Sequence, residues 1–178
     1  MNNLYHDINL WNEDFSEINA ILEIPKWSKV KYEFDYKTWT IWVDRIWKTP
    51  INYNFNYWDL PQTWNYWDND PLDVIILCTE SLSVWTVVPL KVVWWLNMID
   101  SWEEDYKILA VSNDKYYENV NDINDVNKKE LEDIEYFMLH YKDLHWKKIE
   151  IKWWDNKESA IKIIKECDLN YKKKFNKI

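Results

Sequence analysis

Not one of the 178 residues of this chain is glycine, whereas 15 are tryptophan. Average usage of ~7% predicts about 12 glycines in a chain of this length. The surplus of one residue therefore nearly matches the deficit of the other. Glycine reaches positive φ without steric cost and lets two backbones approach closely. Tryptophan does neither, so the chain lacks the residue that tight turns use most readily.

The densest chemistry lies in Asp68-Asn69-Asp70-Pro71-Leu72-Asp73-Val74, which runs into the apolar Ile75-Ile76-Leu77. Pro71 fixes its own φ and biases Asp70 toward extended backbone, so the segment reads as non-helical. In an extended chain Asp68 and Asp70 project to one side, and Asp73 stands at the mouth of the strand that follows. Such carboxylates repel one another unless cations neutralise them, and carboxylate oxygens are the ligands Mg²⁺ prefers. A solvated acidic loop is the other reading, because Asp and Glu together number 31. The spacing is not that of an EF-hand: Leu72 and Thr79 fall where its fifth ligand and closing Glu belong.

A chain of this length suits one domain, here residues 1–178, with a real core. The net charge of −9 opposes general nucleic-acid binding. Bound metal ions invert such a local field, so an anionic substrate stays open. Cys78 and Cys167 form no CxxC pair and suit a reducing compartment. His6, His140 and His145 make no zinc motif. With no signal-peptide pattern at Met1–Asp7 and no apolar run long enough to span a bilayer, the expectation is a cytoplasmic protein with no membrane partner.

After an irregular lead-in of about twenty residues, strands are expected at 20–25, 30–35, 40–46, 51–57, 74–77, 84–88, 92–98 and 108–111. Lys31, Glu33 and Asp35 share one face of the second. The acidic stretch from Asp100 to Lys107 reads by itself as a solvated loop, with Asp105 and Lys107 on one face where it is extended. From residue 125 the period changes, and Leu131, Ile134, Phe137, Met138, Tyr141 and Leu144 mark an amphipathic helix with Tyr141-Lys142 on its last turn. Ile149–Trp153 is one more strand. Asp155 and Glu158 suggest a capping box for a second helix through Cys167, and Lys172–Lys174 a solvated end. The class is α+β, with many short strands favouring a barrel or sandwich.

These segments resemble soluble family I inorganic pyrophosphatases. Asp68–Val74 matches the signature D-x-D-P-x-D-V. Leu22-Glu23-Ile24-Pro25, Lys31-Tyr32-Glu33, Val43-Asp44-Arg45, Asn56-Tyr57, the run Met98 to Lys107 and His140–Leu144 match further segments in order. The resemblance implies an OB-like five-stranded barrel with additional short strands and two helices in the C-terminal half. It implies Mg²⁺-dependent hydrolysis of pyrophosphate to two phosphates, several ions per site, with Mn²⁺ or Zn²⁺ as alternatives. By the same resemblance Asp68, Asp73, Asp100 and Asp105 hold metal, Glu23 and Glu33 line the metal cavity, and Asp70 takes a proton from the attacking water. Lys31, Arg45, Tyr57, Lys107, Tyr141 and Lys142 grip the phosphates, and relatives assemble as dimers or hexamers.

The chain departs from that family in one respect. Trp11, Trp27, Trp39, Trp58, Trp85, Trp94, Trp102, Trp146 and Trp153 stand where relatives carry glycine, whereas Trp154 matches a family tryptophan. A UGA codon read as glycine in the source and as tryptophan in translation produces this pattern. Two other readings stay open: an OB-type module whose aromatics stack on bases or sugars, and an inactive relative whose Trp58 and Trp102 crowd the site.

Overall fold

The structure, a computed structural model, describes residues 3–12, 16–35, 37–38 and 40–177. Its elements in chain order are α1 (Leu4–Asp7), β1 (Ile18–Ile21), β2 (Val30–Asp35), β3 (Thr40–Ile46), β4 (Asn56–Asp59), β5 (Asp73–Leu77), β6 (Val87–Asp100), β7 (Glu103–Ser112), α2 (Lys128–His140), β8 (Ile149–Asp155) and α3 (Lys157–Lys174). The main sheet runs β1-β6-β7-β5-β4, with β8 added on β6; β2 and β3 form a separate hairpin. The β5–β7 pair is parallel and its neighbours are antiparallel. Beyond β1, Ile24 bridges Tyr57 of β4, each N–H donating to the other's carbonyl at 3.1 and 3.0 Å. That bridge draws the first and last strands together into the nearly closed five-stranded barrel that the resemblance implied.

Alternation along the paired stretches 74–77 of β5 and 108–111 of β7 explains why both are wholly apolar. Val74, Ile76, Ile108 and Ala110 face one cluster, completed by Ala160, Ile164 and Cys167 of α3. Ile75, Leu77, Leu109 and Val111 face a second, completed by Ile134, Phe137 and Met138 of α2. A strand buried on both faces has no solvated side to mark it with polar residues. Among the described residues no helix is long and apolar enough to cross a membrane.

Several boundaries differ from the sequence reading. The lead-in holds the short α1, capped by Asn3. The expected strand over 51–57 shrinks to β4, because Tyr53 and Phe55 pack edge-on against each other and onto Phe137. The strands at 84–88 and 92–98 are one, β6. Pairing with β7 starts at Leu90, so the N–H that Pro89 lacks is not needed on that ladder. Tyr141 follows α2 as its C-cap. Asn156, not Asp155, caps α3 by accepting from Ser159 N–H at 3.0 Å. Lys172–Lys174 form the last helical turn rather than a loose tail, which suits the dipole.

The tryptophans divide by backbone. Trp27, Trp85, Trp102 and Trp146 sit at φ of 70°, 65°, 83° and 56°, in the left-handed region where a side chain costs about 1–2 kcal/mol per residue. Ser101, at φ 56°, and Trp102 are the two-residue connection between the paired Asp100 and Glu103. Positive φ at both central residues is the mark of a type I′ hairpin, which favours Asn-Gly. Trp11, Trp58, Trp94 and Trp153 do not have positive φ, and Trp39 lies outside the described residues. Among the described residues five buried indole N–H groups, those of Trp47, Trp58, Trp64, Trp85 and Trp94, meet no protein acceptor. Each such donor costs about 1–3 kcal/mol.

Candidate active site

The aspartate segment is held by backbone bonds on both sides. Asn65 N–H donates to Asp70 O at 2.8 Å, and Asp70 N–H donates to the Asp68 carboxylate at 3.1 Å. Between them Asn69 takes φ 57°, which asparagine tolerates. Leu72 is buried in the core, and its N–H donates to Thr63 Oγ1 at 2.9 Å. Upstream, Trp64 N–H reaches Cys167 O of α3 at 2.9 Å. The loop is thereby tied to the barrel at Leu72 and to α3 at Trp64.

Strand register brings the remaining groups together. Asp73 pairs with Lys107 on the parallel ladder and with Asp59 on the antiparallel one. Lys107 donates to Asp73 and, at 2.5 Å, to Asp105. Lys142, just beyond α2, donates to Asp100, which also accepts from Ser101 Oγ at 2.8 Å. Lys31 Nζ lies 3.2 Å from Glu23 and 3.8 Å from Glu33. Arg45 pairs with Asp44, and its guanidinium lies 5.5 Å from the Trp47 ring.

One cavity of about 200 Å³ is lined by Glu23, Lys31, Arg45, Tyr57, Asp68, Asp70, Asp73, Asp100, Asp105, Lys107, Tyr141 and Lys142. Of the residues singled out by sequence, Glu33 alone is missing from this lining; it faces an adjoining cavity with Glu23 and Asp59. The Asp100–Asp105 stretch, which by itself reads as a solvated loop, is the turn joining β6 to β7, and Asp105 is buried. Neither Trp58 nor Trp102 lines this cavity: Trp58 packs into the core against Trp85 and borders the adjoining cavity, and Trp102 stands 93% exposed at the hairpin tip. Asp59, Tyr53 and Trp47 also line the cavity without having been expected there. A signal for Asp59 existed, since it lies two residues from Tyr57 and so on the same face of a strand.

Seven carboxylates face four cationic side chains in this space. Burial pushes Glu23 up to about 8 and Asp68 to about 7. Burial, then the charge of Asp73, raises Asp70. Asp105 is pushed by burial to about 6. Burial also pushes on Asp73, but the Lys107 charge and hydrogen bonds from Asp59, Lys107 and Tyr57 outweigh it and hold Asp73 below the ordinary range. Burial raises both Tyr57 and Tyr141, so each keeps its proton and remains a donor.

An acid whose folded pKa exceeds its unfolded value keeps a proton that the unfolded chain has lost, so stability falls as pH rises through that interval. For Asp68 and Glu23 the interval runs from the ordinary value near ~4 to about 7 and about 8. His6, held down by burial, works the other way as a single group. Metal-free protein is therefore expected to melt at a lower temperature at pH 8 than at pH 5. A melting temperature that rises over that range contradicts this.

The donor set fits a hard divalent cation: oxygen ligands only, in excess over the local positive charge. Among the described residues no three of them are grouped so as to hold an ion; Lys107 pairs with Asp73 and Asp105, and Lys142 with Asp100.

Residues 20–172 match the family model for inorganic pyrophosphatase. The inorganic pyrophosphatase of Halalkalibacterium halodurans is 38% identical over 156 residues, covering 87% of this chain and 95% of its own length. That of Xylella fastidiosa is 41% identical over 170 residues, covering 93% and 95%. The crystal structure of inorganic pyrophosphatase from Thermus thermophilus superposes with a TM-score of 0.88 at 28% identity, covering 96% of this chain and 99% of that one.

Proposed function

The chain belongs to the inorganic pyrophosphatase family, and we propose from that premise that its aspartate-lined cavity is where it hydrolyses pyrophosphate, with Mg²⁺ bound and Asp70 as general base. The enzyme is an inorganic diphosphatase. The observation that carries the site reading is the meeting, in one cavity, of seven carboxylates with Lys31, Arg45, Lys107 and Lys142. Pyrophosphate is strongly anionic, and a cavity of carboxylates alone repels it.

Asp68, Asp73, Asp100 and Asp105 are the residues that would hold the ions, with Glu23 beside them and Glu33 in the adjoining cavity; Mn²⁺ or Zn²⁺ suits the same oxygen donors. Bound Mg²⁺ supplies a Lewis acid that acidifies the attacking water and screens the phosphates. Asp70 accepts the proton of that water. Burial suits it to this role, keeping its basicity above that of an ordinary carboxylate and nearer the working pH. Lys31, Arg45, Lys107 and Lys142 orient the phosphates and offset charge developing on the leaving one. Tyr57 and Tyr141, kept protonated, add neutral donors. The setting we infer is cytoplasmic, with a homo-oligomer, a dimer or hexamer, as the assembled form and with neither nucleic acid nor membrane as partner.

An ion bound only by the folded chain stabilises it in proportion to the logarithm of its concentration. Millimolar Mg²⁺ is expected to raise the melting temperature, and Asp73→Ala to abolish most of that rise. If Asp73→Ala responds to Mg²⁺ as the parent does, the cation assignment at Asp73 is wrong.

A further inference from the structure

The turn that carries Asp68, Asn69 and Asp70 is closed by a bridge between Asn65 and Asp70. Asn65 is buried, at 2% exposure, although asparagine is mostly a surface residue. Both polar atoms of its side chain have partners. Its Oδ1 accepts from Trp67 N–H at 3.2 Å, and its Nδ2 donates to Asp68 Oδ2 at 3.1 Å. The other Asp68 oxygen, Oδ1, accepts from Asp70 N–H at 3.1 Å. One donor thus holds each oxygen, and among the described residues no other group donates to this carboxylate. A carboxylate offers about four lone-pair sites, so about half of them stay open.

The bond from Trp67 N–H makes an Asx turn, in which a side chain takes a backbone N–H two residues on. Such a turn uses only the side-chain oxygen, which serine also supplies. The Nδ2 donor is the part of asparagine that the turn leaves unused, and it goes to Asp68. The flipped amide is excluded, because it would set Oδ1 against an acceptor-only carboxylate and Nδ2 against an N–H. We propose that Asn65 is a positioning residue of this enzyme, whose amide sets the rotation of the Asp68 carboxylate so that its open lone pairs receive a divalent cation. Outer partners of this kind orient metal-holding carboxylates and strengthen their hold. Neither spacing nor resemblance marked Asn65. This role rests on the reading of Asp68 as a Mg²⁺ ligand given above, and it adds a neutral residue that acts through Asp68.

Titration calorimetry of Mg²⁺ into metal-free parent, Asn65→Ser and Asn65→Ala tests this, with metal-free melting temperatures and the Mg²⁺ dependence of turnover alongside. Serine keeps an oxygen for Trp67 N–H but is too short to reach Asp68; alanine loses both bonds. Asn65→Ser is expected to melt near the parent yet to bind one Mg²⁺ roughly 10- to 100-fold more weakly. Asn65→Ala should bind as weakly and melt lower. Half-maximal turnover should require correspondingly more Mg²⁺ in both, while the rate at saturating Mg²⁺ returns toward the parent's. A turn-forming role alone predicts otherwise: alanine lowers the melting temperature, serine restores it, and both bind Mg²⁺ as the parent does. That result overturns the proposal, as does a loss of rate that saturating Mg²⁺ leaves unrelieved. Asn65→Thr is the substitute should serine fold poorly. A parent that binds no Mg²⁺ overturns the reading of Asp68 and the role of Asn65 with it, whereas Mg²⁺ binding shared equally by parent and serine variant overturns the role of Asn65 alone.

Discussion

Asp70→Asn is expected to cut pyrophosphate turnover by about 10²–10⁴-fold, the range for losing a positioned general base. The backbone around residue 70 is bonded through its own N–H and carbonyl, to Asp68 and Asn65, so asparagine leaves the loop in place. Asp73, Asp100 and Asp105 are untouched, and the Mg²⁺-dependent rise in melting temperature should change little. The split between the two readouts identifies a base rather than a ligand. Turnover within a few-fold of the parent removes Asp70 from the role. A lost Mg²⁺ response reassigns it to holding metal.

The second large effect concerns Trp27, Trp102 and Trp146. All three lie at positive φ and are 61%, 93% and 96% exposed, so Trp102 and Trp146 gain almost no burial, and Trp27 only a minor part, for the backbone strain they impose. Replacing all three by glycine should stabilise the fold by about 1 kcal/mol at each position. For a chain of this size that is a rise of about 2–4 °C per substitution. Trp85 also has positive φ but packs on Trp58, so its replacement trades strain against contact. The same geometry bears on the missing glycines. Protein from its natural source is expected to show glycine mass at residues 27, 102 and 146 in peptide spectra. Tryptophan mass there, with a triple variant no more stable than the parent, contradicts both expectations.

Part of the site could be read from spacing, because alternation along β2 places Lys31 with Glu33; Asp68 and Asp70 meet for another reason, a turn with Asn69 at φ 57° in place of the extended chain expected there. Asp59 was signalled only by its two-residue step from Tyr57; its place opposite Asp73 is a matter of register, which tertiary pairing sets. The Asp100–Lys107 run was ambiguous for a related reason: a polar hairpin tip and a solvated loop look alike until the strands on either side are seen to pair. Glu33 shared the predicted face with Lys31, yet their hairpin stands apart from the barrel and turns Glu33 toward the second cavity. The two-faced burial of 74–77 and 108–111 erased the polar alternation that marks strand faces. At residues 27, 85, 102 and 146 local preference fails altogether, since no property of tryptophan anticipates a left-handed backbone.

The most direct measurement is phosphate release from pyrophosphate, followed against Mg²⁺ concentration and then with a chelator in excess. Two phosphates per pyrophosphate are expected, at a rate that climbs with Mg²⁺ and vanishes on chelation. Asp70→Asn should show the same Mg²⁺ dependence at a far lower ceiling. Release that persists in the chelator, or that Asp70→Asn leaves undiminished, contradicts a metal-dependent hydrolysis with Asp70 as its base.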